Sequence, residues 1–124
     1  MSVSVVGHSN PDTDSVTAAI AFANYLKATG TDAIACMQIS VENLNPESKV
    51  VLGKFGLAAP QTMTDAAGKD VALVDFSDIG QAPANIGDAN IVAIVDHHKI
   101  VDITTGSPIF FYAKPVGCTC TVLL

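Results

Sequence analysis

Short apolar runs, rich in β-branched residues, recur along the chain, and each gives way at once to polar or charged residues. Val3-Ser4-Val5-Val6 precedes Gly7-His8, Val71-Ala72-Leu73-Val74 precedes Asp75, and Ile91-Val92-Ala93-Ile94-Val95 precedes Asp96-His97-His98. Runs this short read as fully buried strands, the pattern of a parallel sheet. Between them the period changes. Val16, Ala19, Ile20, Ala23 and Leu26 keep helical spacing, with Asp14 or Ser15 as the predicted N-cap and Gly30 as the stop. Strand two is predicted over Ala33 to Gln38. Asn45-Pro46-Glu47 reads as an N-cap followed by proline at the first helical position, opening a helix that ends near Gly56. A loop through Pro60 and a Gly68-Lys69-Asp70 turn lead into the next strand, and Ile79 to Asp88 reads as connection. A last strand is predicted over Ile109 to Tyr112, and a helix begins around Pro115-Val116-Gly117-Cys118-Thr119. Alternating strands and helices predict an α/β fold, a parallel β-sheet flanked by helices on both faces.

Composition narrows what such a domain does. The 124 residues suit one domain, 49% of them hydrophobic and none in a charge block, which argues against disorder. The apolar runs are far shorter than the roughly 20 residues of a membrane span, so no membrane partner is expected. No secretory leader pattern is visible, and Cys36, Cys118 and Cys120 make an odd count without a framework spacing, so free thiols and a cytoplasmic location are expected. Twelve acids face six basic residues, all lysine, for a net charge of −6. Acidic balance without a basic stripe disfavours nucleic acid as a partner, while a small phosphate ester bound through cations stays open. The apolar ending Val122-Leu123-Leu124, without cap or polar tail, predicts that the chain is truncated from a longer protein.

The polar residues after the strands carry the chemistry. In open α/β sheets ligands gather outside the carboxyl ends of the strands, and His8, Asp12, Asp14, Asp75 and His97 all follow a strand there. Mixed imidazole and carboxylate donors suit Mn²⁺, Co²⁺ or Zn²⁺, whereas Mg²⁺ prefers oxygen ligands. The plain alternative is that Asp12 and Asp14 cap a helix, His8 is a polar loop residue and Asp75 caps the loop behind it. Asp75 is also placed to bridge two metals of the kind held roughly 3.5–4 Å apart in two-metal hydrolases. In Asp96-His97-His98 one histidine can ligate, the carboxylate can orient a ring from behind, and the other histidine can serve as acid or substrate ligand. Cys118-x-Cys120 is too tightly spaced for the usual zinc pattern and reads as helix packing. Phe110, Phe111 and Tyr112 read as core, or as an edge or subunit contact, and Lys99 as a solvated lysine.

Taken together, Gly7-His8-Ser9-Asn10-Pro11-Asp12-Thr13-Asp14-Ser15, Val74-Asp75, Asp96-His97-His98-Lys99 and Pro115-Val116-Gly117-Cys118-Thr119 resemble the N-terminal domain of the manganese-dependent, family II inorganic pyrophosphatases. These belong to the DHH phosphoesterase superfamily, whose domain is Rossmann-like. The resemblance covers essentially the whole chain in order and spacing. It implies that His8, Asp12 and Asp75 hold one Mn²⁺ and that Asp14, Asp75 and His97 hold a second, with Asp75 bridging. It further implies that Asp96 orients His97 and that His98 contacts the substrate phosphate. Catalysis would rest on His98 and Asp75, with Co²⁺ as an alternative metal and additional Mg²⁺ arriving with pyrophosphate. The implied reaction is hydrolysis of pyrophosphate to two orthophosphates, and a homodimer is compatible with the resemblance. The family commonly follows the bridging aspartate with His-Asn-Glu, but Phe76-Ser77-Asp78 stands here. It also supplies a later metal aspartate and a C-terminal substrate-clamping domain with lysines and an arginine, absent from residues 1–124. The isolated domain is therefore expected to be inactive or nearly so. Rival readings are a DHH phosphodiesterase or exopolyphosphatase, and a non-catalytic module that binds metal or phosphate.

Overall fold

A computed structural model describes residues 2–123. Six parallel strands form one sheet: β1 (Val3–Val6), β2 (Ala33–Met37), β3 (Gln61–Thr62), β4 (Asp70–Val74), β5 (Asn90–Asp96) and β6 (Phe110–Ala113), in the order β3-β2-β1-β4-β5-β6. From β1 the chain builds outward through β2 to β3, then returns to lay β4 against the other side of β1. The direction of winding reverses between β1 and β4, and at such a switch point the connections diverge and leave a crevice at the carboxyl ends. His8 and Asp75 stand at that crevice, two residues after Val6 and one after Val74.

Strand pleating sends alternate side chains to opposite faces. Val3, Val5, Ala72, Val74, Ala93 and Val95 pack under α1 (Thr13–Ala28) through Ala18, Ala19, Phe22 and Ala23, with Cys120 and Leu123 of α3 (Thr119–Leu123) beside them. α2 (Pro46–Lys54) joins through Leu52, which meets Val16 and Met37. On the opposite face Val6, Cys36, Val71, Leu73, Ile91 and Ile94 are covered by Met63, Ala66 and Ile86, the last on a 3-10 turn at Ile86–Asp88. A register shift places Val71 opposite Ile91 but Ala72 opposite Ala93, so Val92 is an extra residue in β5. That irregularity lets Ile91 and Ile94 point to the same face.

The α/β parallel architecture matches the sequence expectation, but among the described residues α1, α2 and α3 all pack on one face, and the opposite face is covered by loops and 3-10 turns where α-helices were expected on both. The N-cap of α1 is Asp12, whose side chain accepts from the Ser15 N–H, and not Asp14 or Ser15. The two-residue strand β3 was not anticipated, since Gln61 and Thr62 are polar and exposed and leave no apolar signature. The 79–88 connection contains two 3-10 turns, Ile79–Gln81 and Ile86–Asp88. Phe110, Phe111 and Tyr112 are not core. They lie on edge strand β6, every residue of which is exposed. Cys36, Cys118 and Cys120 are free thiols. Among the described residues no helix is long and apolar enough to cross a membrane. Leu124, last of the apolar ending, lies outside the described residues.

Candidate metal centre

The first wall of the site is the loop from β1 to α1. Gly7 lies so close to the first turn of α1 that an added Cβ would fall 2.7 Å from Ser15 Oγ and 2.8 Å from Ser15 Cβ. Only glycine permits that approach. It brings His8 Nε2 to 3.8 Å from Asp12 Oδ1 and 3.2 Å from Asp75 Oδ2. Asp12 does cap the helix, but the cap engages one of its oxygens, Oδ1. Gly7→Ala is therefore expected to push Ser15 outward, costing about 1–3 kcal/mol of stability by overpacking. Chemical denaturation of the variant beside wild type measures this, and Mn²⁺ affinity should fall in parallel because Ser15 and His8 move together.

Asp75 occupies the centre. Its φ of 68° places it in the left-handed region, where aspartate is tolerated better than most residues. The side chain is 2% exposed. Oδ2 accepts from the Ser15 hydroxyl at 3.0 Å and faces His8 Nε2 at 3.2 Å. Oδ1 accepts from the Thr119 hydroxyl at 3.0 Å and faces His97 Nε2 at 3.2 Å. Each oxygen thus has one hydroxyl donor and one imidazole nitrogen at 3.2 Å, and Oδ1 also lies 3.8 Å from His98 Nδ1.

The second wall comes from β5 and α3. Asp96 ends β5, and its Oδ1 accepts from the backbone N–H groups of His97 and His98 and meets His98 Nδ1 at 2.7 Å. The ring that Asp96 contacts is therefore that of His98, and not that of His97 as the resemblance implies. His97 Nδ1 instead lies 3.0 Å from the Val116 carbonyl oxygen. A carbonyl only accepts, so Nδ1 carries the proton and Nε2 offers its lone pair toward Asp75 and Asp14. Asp14 Oδ2 stands 3.7 Å from that nitrogen, and its carboxylate is gripped by the Thr119 and Cys120 N–H groups at 2.8 and 3.0 Å. Asp14 is thus fixed by α3 and not spent on capping α1.

His8, Asp12, Asp14, Asp75 and His97 are all brought together. Ser15, Thr119 and the Val116 carbonyl were not among the residues that sequence reasoning selected. The only signal for the last two was the Pro115–Thr119 motif, whose backbone role is invisible in side-chain identity. Beside the centre lies a cleft of about 230 Å³, lined by His8, Asp75, Ser77, Asp78, His98 and Lys99. Phe76, standing where the resembled family has histidine, is 2% exposed and packs with the core of the second face.

The donor set fits divalent metal. Carboxylate oxygens and imidazole nitrogens converge with no lysine contact among them, and ligand atoms about 3.2 Å apart are spaced as neighbours around one divalent ion are. Two imidazoles with three carboxylates suit Mn²⁺ better than Mg²⁺. Without metal, a proton shared at the His8–Asp75 contact serves the same end. The hydrogen bond to Asp75 raises the His8 pKa above its ordinary value, against the opposing effect of burial. Burial would raise the Asp75 carboxyl, but hydrogen bonds led by His8 outweigh it and hold the group low.

The signs follow. The raised His8 stabilises the metal-free fold fully below its ordinary pKa of 6.5, and this is lost as pH rises through the raised value. The lowered Asp75 stabilises it above the ordinary carboxylate value, lost as pH falls through the lowered one. A metal that takes His8 as a ligand has to displace its proton, so Mn²⁺ affinity is expected to climb about tenfold per pH unit below the raised pKa and level off above it. Calorimetric titrations in buffers of different ionisation enthalpy, repeated across pH, read that proton release directly.

The family model described as the DHH family, N-terminal domain, matches residues 2–124. An Archaeoglobus fulgidus relative named "Probable manganese-dependent inorganic pyrophosphatase" is 53% identical over 98% of this chain and 40% of its own length. A Methanothrix thermoacetophila relative named manganese-dependent inorganic pyrophosphatase is 48% identical over 96% of this chain and 38% of its own. A Methanococcus jannaschii crystal structure, described as a "putative family II inorganic pyrophosphatase", superposes with a TM-score of 0.87 at 41% identity, over 98% of this chain and 36% of that one. An exopolyphosphatase-related protein from Bacteroides fragilis shares the fold, with a TM-score of 0.68 at 11% identity. The chain thus spans about 40% of the length of the curated relatives it matches. By the extent of the family match and the site it covers, the chain belongs to the DHH family, as its N-terminal domain.

Proposed function

We propose that the protein hydrolyses inorganic pyrophosphate to two orthophosphates with Mn²⁺ as its resident metal, residues 1–124 being the metal-binding catalytic domain. The observation that carries this reading is the Asp75 carboxylate, each of whose oxygens faces a different imidazole. His8, Asp12 and Asp75 would hold one ion, and Asp14, Asp75 and His97 the other, so one buried charge serves both positions. Bound there, Mn²⁺ supplies Lewis acidity that activates water and offsets the charge of phosphate oxygens. His98, its Nδ1 engaged by Asp96, lines the cleft where a phosphate group would sit. Its remaining nitrogen can hydrogen-bond that phosphate, and Lys99 adds positive charge along the same wall. The names of the relatives support pyrophosphate over longer chains or dinucleotides. The relatives are about two and a half times as long as the span they share with this chain, and chain-length selectivity would rest with a basic substrate clamp outside that span. The odd set of free thiols supports a reducing, cytosolic setting.

The test is phosphate release by the full-length protein with Mn²⁺ from pyrophosphate, tripolyphosphate and a dinucleotide. Pyrophosphate should be cleaved far faster than the other two. Preference for tripolyphosphate, or for the dinucleotide, would assign the site to the exopolyphosphatase or phosphodiesterase branch.

A further inference from the structure

Two buried hydroxyl residues repeat one arrangement on either side of Asp75. Ser15, 1% exposed, gives its N–H to Asp12 Oδ1 at 2.9 Å and its hydroxyl to Asp75 Oδ2 at 3.0 Å. Thr119, 0% exposed, gives its N–H to Asp14 Oδ2 at 2.8 Å and its hydroxyl to Asp75 Oδ1 at 3.0 Å. Each residue joins Asp75 to the carboxylate of one metal position and has no hydrogen bond to the carboxylate particular to the other. One comes from the first turn of α1 and the other from the start of α3, so the two contacts are independent in the chain.

We propose that Ser15 and Thr119 are positioning residues that divide the Asp75 carboxylate between two metal positions, each setting the affinity of its own side. The inference rests on the two-position reading above. An ionised carboxylate offers about four lone-pair sites. One hydroxyl on each oxygen occupies one of them and stops the group from rotating. A single outward lone pair is then left toward His8 on one side and toward His97 on the other. Without the Ser15 hydroxyl, Oδ2 loses its fixed direction while Oδ1 keeps both of its partners. Without the Thr119 hydroxyl the converse holds. Sequence position hides this pairing, because the two residues are more than a hundred positions apart and neither is a ligand type in a recognised metal motif.

The variants Ser15→Ala and Thr119→Val remove one hydroxyl each and preserve nearly the same volume. Partners that orient metal ligands are worth about 10–100-fold in affinity, and that loss should fall on one ion only. Full-length protein would be titrated calorimetrically with Mn²⁺, and its crystals soaked at limiting Mn²⁺ to compare anomalous peaks beside His8 and beside His97. Ser15→Ala should lose the His8-side peak first, Thr119→Val should lose the His97-side peak first, and Thr119→Ser should restore it. A general packing role would weaken both positions alike and would not be rescued by serine. Equal loss at both positions, or none at either, overturns the inference while two wild-type peaks leave the metal reading standing. A wild-type protein with fewer than two peaks beside Asp75 overturns both. Should Thr119→Val not fold, Ser15→Ala decides alone, by loss at one position or at both.

Discussion

Asp75→Asn is expected to abolish most pyrophosphate hydrolysis by the full-length protein and to weaken Mn²⁺ binding by at least about 100-fold, beyond what loss of an orienting partner does. Asparagine also tolerates the left-handed backbone that the φ of 68° requires, so the turn is kept and the charge alone is removed. In wild type both Asp75 oxygens accept, one from Ser15 and one from Thr119, and each faces an imidazole. An amide has one accepting oxygen. Whichever way it is turned, its NH₂ group faces either Ser15 and His8 or Thr119 and His97. One metal position is therefore blocked outright and the other loses the shared charge. Steady-state phosphate release and metal analysis of the folded variant measure both effects. Wild-type activity and metal content would reduce Asp75 to a structural turn residue.

Binding and turnover should separate in the 124-residue polypeptide. His8, Asp12, Asp14, Asp75 and His97 all lie within it and already converge, so the polypeptide should take up Mn²⁺. Its cleft presents Lys99 as a cation, and the chain contains no arginine to form a bidentate phosphate clamp. Substrate would be held on one side and remain in contact with water. Misplacement of a reacting group by about 1 Å costs on the order of 100-fold, and pyrophosphate turnover by residues 1–124 should fall at least that far below the full-length rate. Fluorescence or calorimetric titration reads the binding, and phosphate release from protein freed of contaminating pyrophosphatase reads the turnover. Turnover at the full-length rate would mean that these residues suffice for catalysis.

The strands that build the crevice were legible because parallel strands buried on both faces must be nearly continuous in apolar residues, as Val71–Val74 and Ile91–Val95 are. The ligand candidates were legible because their residue types are rarely needed at buried strand ends. What escaped depends on backbone groups and on three-dimensional choice. Asp12, Asp14 and Ser15 are all competent N-caps, and only contact with α3 shows that Asp14 is held elsewhere. His97 and His98 are adjacent and chemically identical. Which ring meets Asp96 is decided by the direction in which β5 ends and by the Val116 carbonyl opposite. Strand β3 is polar and only two residues long, and it pairs with β2 at Cys36 and Met37 through backbone groups that leave no mark in composition. Phe110, Phe111 and Tyr112 carry strand propensity, but propensity does not say whether a strand is central or at an edge.

In the proposed reading one buried carboxylate, that of Asp75, joins two metal positions. Electron paramagnetic resonance of the full-length protein titrated with Mn²⁺ tests it most directly, because two ions sharing a ligand couple magnetically and isolated ions do not. Two ions per chain should bind beside Asp75 and give a coupled spectrum that Asp75→Asn abolishes. An uncoupled single-ion spectrum at saturation, unchanged by Asp75→Asn, would contradict it.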